Sequence, residues 1–349
     1  MRILVDITHP VHVHLFRHVI QELKARGHEV MVTAADKDVT LDLLRLFGID
    51  HVRAGSYGRS VTEKALRLLW MDYELLRVAR RFKPDLLLAE APVRASHVAY
   101  FIRRPCIGLD DTECAQVQRR LWLPFVTRIL TPKSYELDLG RKQIRYPGYK
   151  ELAYLHPRRF TPDPSAIDAD GLRADEPFAF VRFVSWQATH DVGQGGFSRE
   201  GRLCLVQQLS QYGRVLISSE GGVAPELEGY VLKAPPHLMH HLLYYASVCV
   251  SEGATVASES AVLGTPAVYM NSLRLGYLQE QQDRYGLVLN IHDRKDEDGA
   301  IAAAVSVMQQ AACRRPEWRV KAAQLVQDHV DVTEYLVETL MRVKRVDGR

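Results

Sequence analysis

The sequence predicts an α/β fold made of two Rossmann-like domains, with a cleft between them and a C-terminal helix. Short apolar runs rich in β-branched residues alternate with amphipathic stretches of helical period, which favours doubly wound parallel sheets. The 349 residues exceed what one hydrophobic core usually fills. A proline-rich tract without a sustained period interrupts the alternation at 151–175, which is typical of a linker. We therefore expect domains at 1–150 and 176–330, and a helix over 331–349 that can return to the first domain.

Each predicted element depends on a local pattern. Apolar residues recur at helical spacing between His12 and Arg26, and Gly27 marks the end of that helix. Further helices are predicted at 38–47, 61–82 and 318–343. Strands are predicted, from runs of apolar and β-branched residues, at 3–7, 29–34, 85–89, 106–109, 128–130, 178–184, 215–219, 230–232, 248–251, 267–270 and 287–290.

The composition excludes several classes of protein. A net charge of +3, from 45 basic and 42 acidic residues, is too balanced for a nucleic-acid binder, although an anionic substrate remains compatible with it. The five cysteines are odd in number and form no CxxC pair, so we expect neither a disulfide framework nor a zinc site. The chain enters a strand directly and contains no apolar run of about 20 residues. We expect a cytoplasmic protein.

The stretch from 248 to 266 predicts a phosphate-binding turn. An apolar strand leads into a small, glycine-containing turn, then a short helix that carries Glu259 and stops at Gly-Thr-Pro. Such a turn presents backbone N–H groups and the positive end of a helix dipole, which favour phosphate. Glu259 is placed to accept hydrogen bonds from ribose hydroxyls. The turn residues expected to contact a nucleotide diphosphate are Ser251, Glu252, Gly253 and Thr255. A tight turn that needs glycine only for its geometry is the alternative.

Two further segments of the second half carry candidate binding residues. Arg182 lies inside an apolar strand, where a pyrophosphate or a buried carboxylate would have to pair with it. Ser185 and His190 follow in a glycine-rich stretch that either closes over a ligand or is a flexible connection. Ser219 and Gly221 come at the end of another predicted strand, where they either line the same cleft or form a plain turn.

The first half carries the candidate catalytic residues. His12 follows the first predicted strand, and an imidazole there can remove a proton from an acceptor hydroxyl. Asp111 and Glu113 follow the strand at 106–109, where either can act as a general base or hold a sugar hydroxyl or a histidine in place. The alternative is that Asp111 or Thr112 caps a helix over 114–121. His9 is a weaker candidate for the same role. His14 and His18 have a metal-ligand spacing but no third ligand, and we expect no metal.

Three motifs resemble the GT-B glycosyltransferase superfamily. His12–Phe16, followed by Ala25-Arg26-Gly27-His28-Glu29-Val30, resembles the start of these enzymes. Gly253–Pro266 is similar to the GAxTxxExxxxGxP element of the lipid II-forming N-acetylglucosaminyltransferase, with the two glycines, the alanine, the glutamate and the proline matched and the threonine one position earlier, at Thr255. The segment around His190 is similar in part to the Thr-x-His-Arg element of the non-hydrolysing UDP-N-acetylglucosamine 2-epimerases, although Asp191 stands in place of the arginine. Over most of its length the chain resembles an uncharacterised bacterial and archaeal branch of the superfamily, through Asp6-Ile7-Thr8-His9-Pro10, Asp110-Asp111-Thr112-Glu113 and Arg182-Phe183-Val184-Ser185-Trp186.

The resemblance implies a metal-independent glycosyltransferase without a cofactor, which uses a nucleotide-diphosphate sugar, with UDP as the expected carrier, in surface polysaccharide or glycoconjugate biosynthesis. The first domain would take a sugar or lipid-linked acceptor. Two alternatives remain open: an epimerase that uses Asp111, Glu113 and His190, and a non-catalytic module that binds nucleotide sugars. The basic and aromatic residues at 119–126 predict either peripheral contact with the inner face of a membrane or helix packing.

Overall fold

The computed structural model describes residues 1–56, 61–173, 175–185 and 195–346. The chain divides into two compact units, of which unit 1 comprises Met1–Arg159 with Val330–Arg349, and unit 2 comprises Phe160–His329. The stretch predicted as a linker is shared between them, since 151–159 lies in unit 1 and 160–175 in unit 2. His190 lies outside the described residues.

Unit 1 contains seven strands and seven helices within its described residues. The strands are β1 (Arg2–Ile7), β2 (Glu29–Asp36), β3 (Val52–Ser56), β4 (Leu86–Glu90), β5 (Cys106–Leu109), β6 (Arg128–Pro132) and β7 (Gln143–Tyr146). The helices are α1 (Pro10–Ala25), α2 (Thr40–Leu46), α3 (Val61–Phe82), α4 (Val93–Phe101), α5 (Gln116–Trp122), α6 (Leu152–Leu155) and, from the C-terminal segment, α12 (Val332–Val346).

The sheet of unit 1 is parallel, in the order β3-β2-β1-β4-β5-β6-β7. The apolar faces of α3 and α4 pack on it through Leu75, Phe82 and Val98, which are buried with Leu4 and Leu87 of the sheet. Helix α1 packs against α6 and α12. The strand order reverses between β1 and β4, so their carboxyl ends flank the position where open α/β sheets most often bind ligands.

Unit 2 has a second parallel sheet and five helices within its described residues. Its strands are β8 (Phe178–Phe183), β9 (Arg214–Ser219), β10 (Val248–Ser251), β11 (Ala267–Met270) and β12 (Val288–Ile291). Its helices are α7 (Arg199–Leu209), α8 (Met239–Tyr245), α9 (Ala254–Val262), α10 (Gly276–Glu280) and α11 (Glu297–Gln327).

The sheet of unit 2 has the order β12-β11-β10-β8-β9, with every pair parallel. Its core joins Val181, Val250 and Val268 of the strands to Leu205 of α7 and Ala304 of α11. The order reverses between β8 and β10. The predicted fold class, with two parallel α/β units and a helical C-terminal segment, is confirmed.

Some predicted elements are wrong in detail. The strand predicted at 230–232 is absent, because Pro225–Tyr230 forms a 3-10 helix and Val231 makes only an isolated bridge to Ile217. The helix predicted at 318–343 is two helices, since α11 ends at Gln327 and α12 begins at Val332. Strands β3 and β7 are additional, and neither sequence run is continuously apolar.

Candidate functional site

The predicted phosphate turn lies at the point of unit 2 where the strand order reverses. In the register of the two central strands, Arg182 of β8 stands opposite Ser251, the last residue of β10. Helix α9 then begins at Ala254, with Gly253 as its N-cap. The Ser251 hydroxyl closes the turn, because Oγ donates to the carbonyl of Gly253 at 2.7 Å and accepts from its N–H at 3.0 Å. The first turn of α9, which includes Thr255, thus begins at the carboxyl edge of the sheet.

Arg182 is held by polar side chains of β9 and the turn after it. Its Nη1 donates to Ser218 Oγ at 2.7 Å, and its Nη2 lies 2.6 Å from Glu220 Oε1. The other carboxylate oxygen of Glu220 accepts from the backbone N–H of Ser185 at 3.4 Å. Arg182 thus pairs with a carboxylate, one of the two partners that the sequence left open, but this carboxylate is exposed at the edge of the sheet rather than buried.

Ser219 is the last residue of β9, and Gly221 lies in the turn that follows it. The Ser219 hydroxyl donates to the carbonyl of Gly222 at 2.6 Å, so the side chain closes the turn locally. A Cβ built on Gly221 would lie 3.4 Å from that of Ser185. The structure therefore places Gly221 against Ser185, which shares the Glu220 carboxylate with Arg182, and whether these residues bind a ligand stays a prediction.

Glu252 is fully enclosed by protein partners. Its carboxylate accepts hydrogen bonds from the backbone N–H groups of Val184 and Phe197, both at 3.0 Å, and from Arg202 at 2.8 Å. Burial raises the pKa of Glu252, while Arg202 and the backbone donors oppose that rise. Because its oxygens are already occupied, Glu252 ties the end of β8 and the start of α7 to the phosphate turn, and a direct ligand contact stays a prediction.

Glu259 lies on α9, buried at 1% exposure. Its Oε1 lies 2.9 Å from Nε2 of His240, which is also buried and belongs to α8. The pair joins the two helices beside the phosphate turn. The predicted contact of Glu259 with a ribose remains a prediction.

A cavity of about 610 Å³ opens at the carboxyl ends of β8 and β9. Three of its lining side chains are the guanidinium groups of Arg199, Arg202 and Arg294, and Phe183 and Leu227 contribute apolar surface. Gly221 is shared with the predicted binding edge. The cavity therefore offers both positive charge and apolar walls beside the turn that follows β9.

In unit 1, a buried charged cluster occupies the point where the strand order reverses. Four side chains meet there: His12 after β1, Glu90 at the end of β4, Asp111 after β5 and Lys150 after β7. Nζ of Lys150 lies 3.1 Å from Glu90 Oε1 and 2.8 Å from Asp111 Oδ2. Nε2 of His12 lies 3.5 Å from Glu90 Oε2. The structure thus brings His12 and Asp111 together, as predicted, through two residues that the sequence analysis missed.

His12 is neutral at physiological pH. Desolvation by burial lowers its pKa to about 3, helped by the positive charges of Lys150 and Lys37 and opposed by Asp6 and Asp111. A neutral imidazole is the form that accepts a proton, but so low a pKa also makes it a weak base, so proton transfer to His12 depends on a negative charge that stabilises the imidazolium.

The neighbouring histidines have structural roles. His9 caps α1, with its Nδ1 accepting from the backbone N–H of Val11 at 3.3 Å. The ring of His14 packs against those of Phe47 and Tyr154. His18 is bonded to a glutamine on the next turn of α1.

The acidic residues that follow β5 lie in different environments. Asp110 accepts a hydrogen bond from the Tyr135 hydroxyl at 2.7 Å, and burial raises its pKa to about 7. Oε1 of Glu113 accepts from the backbone N–H of Glu136 at 3.3 Å, outside the charged cluster. Helix α5 begins later than predicted, with Ala115 as an N-cap that makes no side-chain bond, so the capping alternative for Asp111 is wrong.

The stretch at 119–126 is mostly packing. Trp122 is 1% exposed and belongs to the core, and Arg119 is buried against Tyr135. Phe125 is partly exposed and contacts the ring of Tyr100. Other exposed aromatic side chains lie on the neighbouring α3 and α4, namely Trp70, Tyr73, Tyr100 and Phe101. No helix within the described ranges has the length and hydrophobicity needed to cross a bilayer.

Comparison of the sequence with known proteins finds a matching protein family and a distant relative. Residues 1–162 match a family described as Protein of unknown function (DUF354). An uncharacterized protein of Methanocaldococcus jannaschii is 23% identical over 278 residues, which cover 76% of this chain and 80% of that protein.

Solved structures define the fold class as GT-B. The UDP-GlcNAc 2-epimerase of Neisseria meningitidis, bound to UDP-GlcNAc, superposes with a TM-score of 0.62 at 14% identity, covering 98% of this chain and 100% of that one. The Streptomyces sp. SF2575 glycosyltransferase SsfS6, complexed with thymidine diphosphate, gives a TM-score of 0.60 at 18% identity, covering 98% and 99%. MnaA of S. aureus with UDP gives 0.67 at 10% identity, covering 100% and 98%. The protein has the GT-B fold, and the resemblance seen in the sequence is confirmed at that level.

Proposed function

We propose that the protein is a glycosyltransferase that takes a sugar from a nucleotide-diphosphate donor, with UDP as the carrier, and transfers it to an acceptor hydroxyl in surface polysaccharide or glycoconjugate biosynthesis. One observation carries the proposal. The turn from Ser251 to Gly253 and the start of α9 stand where the strand order of unit 2 reverses, opposite Arg182. Such a position is the usual ligand site of an open α/β sheet and favours phosphate. The similar structures bound to UDP-GlcNAc, thymidine diphosphate or UDP support the same class of ligand.

The donor would be bound by unit 2. The first turn of α9, with Gly253 and Thr255, would receive the diphosphate, and Arg182 would exchange its Glu220 partner for a phosphate oxygen. Glu259 would accept from the ribose. These positive groups can stabilise the charge of the leaving diphosphate, so the reaction requires no divalent metal.

The acceptor would be bound by unit 1, with His12 as the base. The acceptor hydroxyl gives its proton to the neutral imidazole, and its oxygen forms a bond to the anomeric carbon of the sugar. The bond from that carbon to the diphosphate oxygen breaks, and its electron pair leaves with the nucleoside diphosphate. This transfer balances in atoms and charge and needs no redox partner or cofactor.

Calorimetric titration of the full chain with UDP, UDP-sugars and TDP-sugars tests the donor site. We expect saturable binding of one donor class, weakened about 10-fold or more in Arg182→Met, since a charge-assisted hydrogen bond is lost. Arg173→Met is the matched control, because Arg173 is exposed, pairs with Asp175 in the same unit and does not line the cavity. Binding that is equal in both variants, or absent for every nucleotide sugar, contradicts the proposal.

An epimerase that acts on the sugar of the same donor is the second candidate. The acidic groups of unit 1, namely Glu90, Asp111 and Glu113, would support elimination and re-addition. Incubation of the protein with UDP-N-acetylglucosamine and no acceptor separates the two activities. Conversion to the C2 epimer favours the epimerase, whereas an unchanged sugar that is transferred once an acceptor extract is added favours the transferase.

A non-catalytic module that binds nucleotide sugars is the third candidate. It predicts that UDP-sugar binding persists while His12→Gln and Asp111→Asn leave the cellular phenotype intact. Loss of the phenotype in either variant, with folding and donor binding preserved, excludes it.

Peripheral contact with the inner face of a membrane is part of the proposal, with an anionic bilayer as the partner. Trp70, Tyr73, Tyr100 and Phe101 are between 53% and 67% exposed on α3 and α4. The guanidinium of Arg80 stands over the ring of Phe101. Further exposed arginines on α3, after α4 and on α5 are Arg77, Arg81, Arg103, Arg104 and Arg120. Aromatic side chains surrounded by arginines match an interface with anionic headgroups.

Sedimentation with phosphatidylglycerol and phosphatidylcholine vesicles tests this contact. We expect binding to the anionic vesicles alone, lost in the double variant Trp70→Ser/Phe101→Ser and retained in Val320→Ser, which removes an exposed apolar residue of unit 2. Equal binding by all three proteins, no binding by any, or self-association through this surface instead, contradicts membrane contact.

A further inference from the structure

We propose that His97 is a pH-sensitive clamp beneath the exposed aromatic surface of α3, α4 and α5. With both ring nitrogens protonated, His97 ties α3 and the last turn of α5 to α4, and loss of one proton breaks one of these two links. The inference rests on the proposed membrane contact, because it names the regulation of that surface: contact with an anionic bilayer strengthens as the pH falls.

The first step is the bonding of the His97 ring. Its Nδ1 lies 2.8 Å from Oδ2 of Asp72 on α3, and its Nε2 lies 2.9 Å from the carbonyl oxygen of Leu121 on α5. An ionised carboxylate and a carbonyl oxygen can only accept, so each ring nitrogen has to donate. Both bonds therefore exist together only in the imidazolium form of His97.

The second step is the reason why the carbonyl of Leu121 needs a donor from a side chain. Pro124, three positions ahead, has no N–H, and the N–H of Phe125, four positions ahead, donates to the carbonyl of Trp122 at 3.0 Å. Carbonyls in the last turn of a helix have no intrahelical partner and depend on such outside donors. His97 supplies the donor for Leu121, so it caps the C-terminal turn of α5.

The third step is the set of groups that face the His97 ring. Asp72 is the charged group on α3, and its second oxygen, Oδ1, accepts no hydrogen bond from any described residue. From α5 the ring meets the Leu121 carbonyl, and from the turn after α5 it meets the ring of Phe125. The hydrogen bond to Asp72 raises the pKa of His97, burial opposes this rise, and the Leu121 carbonyl adds to it. The proton is thus held by α3 and α5 jointly, and its loss leaves one of the two acceptors without a donor.

The fourth step connects the clamp to the aromatic surface. The ring of Phe125 stands edge-on to that of His97, with the centroids 5.1 Å apart, and the ring of Tyr100 contacts that of Phe125 at 5.3 Å. Tyr100 and Tyr73, which follows Asp72 on α3, are both exposed. The positive charge of His97 therefore lies among the side chains proposed to meet an anionic bilayer. The negative potential of such a bilayer concentrates protons at its surface, so protonation of His97 and membrane contact favour each other.

Nitrogen NMR of the full chain labelled in histidine, without lipid, tests the clamp, with the His97 signals assigned by their loss in His97→Gln. We expect both ring nitrogens to be protonated at pH 6, and the titration midpoint to lie above 6.5, the value of a histidine in the unfolded chain. The midpoint should fall in Asp72→Asn and stay unchanged in Glu74→Gln, the matched control on α3, whose partner is Arg77. A midpoint at or below 6.5, or one that Asp72→Asn leaves in place, overturns the inference.

Sedimentation with phosphatidylglycerol vesicles between pH 6 and pH 9 tests the coupling to membrane contact. The affinity of the unaltered protein should fall about fivefold as His97 loses its proton, the effect expected for one positive charge at an anionic surface. His97→Gln should bind at the weaker level throughout. His156→Gln, the matched histidine control at the end of α6, which packs against α1 and α12, should keep the pH dependence. A pH-independent affinity of the unaltered protein overturns the inference. Absence of binding at every pH contradicts the proposed membrane contact instead, and the lipid-free titration then decides by itself whether His97 is a clamp.

Discussion

The carboxylate of Glu252 and the guanidinium of Arg202 form an ion pair, in which Nη2 of Arg202 donates to both carboxylate oxygens of Glu252, at 2.8 Å and 3.0 Å. The side chain of Glu252 is completely buried, and that of Arg202 is about three-quarters buried. The Arg202 guanidinium also stands over the ring of Phe183. The pair therefore joins helix α7 to the residue that follows β10, next to the phosphate turn.

Arg202→Met should destabilise unit 2 by about 3 kcal/mol, because it leaves a buried carboxylate without its cation. Urea unfolding followed by tryptophan and peptide signals measures the change. Arg199→Met should cost less than about 1 kcal/mol, since its pair with Glu226 is exposed. Equal stabilities for the two variants would mean that the backbone donors to Glu252 suffice without Arg202.

His12 should make the stability of unit 1 depend on pH. Its pKa is about 3 in the folded protein and 6.5 in the unfolded chain, so the neutral form is favoured by folding. The stabilisation is complete above pH 6.5 and is lost as the pH falls toward 3, at about 1.4 kcal/mol per pH unit.

Comparison of His12→Gln with the unaltered protein at several pH values isolates this contribution. The variant should show a smaller loss of stability between pH 6.5 and 4. His18→Gln should show a smaller flattening, because burial lowers the pKa of His18 only to about 4. Parallel pH curves for His12→Gln and the unaltered protein would contradict a buried neutral imidazole.

The sequence predicts local features well, because their determinants are adjacent in the chain. The turn at Ser251–Thr255 was predicted because an apolar strand, a glycine and a helix follow one another directly. The fold class was predicted from the alternation of strand and helix patterns alone. Short strands at the sheet edges are harder to predict, since β7 has the sequence Gln-Ile-Arg-Tyr and β3 contains Gly55.

Contacts set by the strand order could not be predicted from the sequence. Lys150 and Glu90 are 60 positions apart, and nothing near Lys150 marks it as buried. Glu90 does end an apolar run, and this was the one available signal. The opposition of Arg182 and Ser251 likewise depends on β8 lying next to β10. Only the order of strands in the sheet brings these pairs together.

Donor binding should not require a divalent metal, as the sequence analysis also expects. In the proposed donor site, Arg182 and the N-terminus of α9 would supply the positive charge that a metal otherwise provides. The affinity for UDP, measured with excess EDTA and again with added Mg²⁺ or Mn²⁺, should agree within about twofold. A loss of affinity with EDTA that the metal restores would show that a cation takes part.

Glu259 and Arg182 should recognise different parts of the donor. Glu259 lies more than one helical turn beyond the phosphate turn and is paired with His240 at 2.9 Å, whereas Arg182 stands opposite the turn itself. A carboxylate that accepts from ribose hydroxyls affects the nucleoside but not the phosphates. Glu259→Gln should therefore weaken UDP binding about 10- to 100-fold, the loss expected for charged hydrogen bonds, and leave inorganic pyrophosphate binding unchanged.

Arg182→Met should weaken both ligands, because its contact is to the diphosphate. Glu317→Gln, an exposed acid of the same unit that lies outside the cavity, is the control and should affect neither. Competition by pyrophosphate and UDP against a fluorescent nucleotide sugar measures all four proteins under one condition. If Glu259→Gln weakened pyrophosphate binding as much as UDP binding, Glu259 would not recognise the ribose. Its pair with His240 would instead hold α9 in place, because displacement of the helix would also disturb the N-terminus that is proposed to bind phosphate.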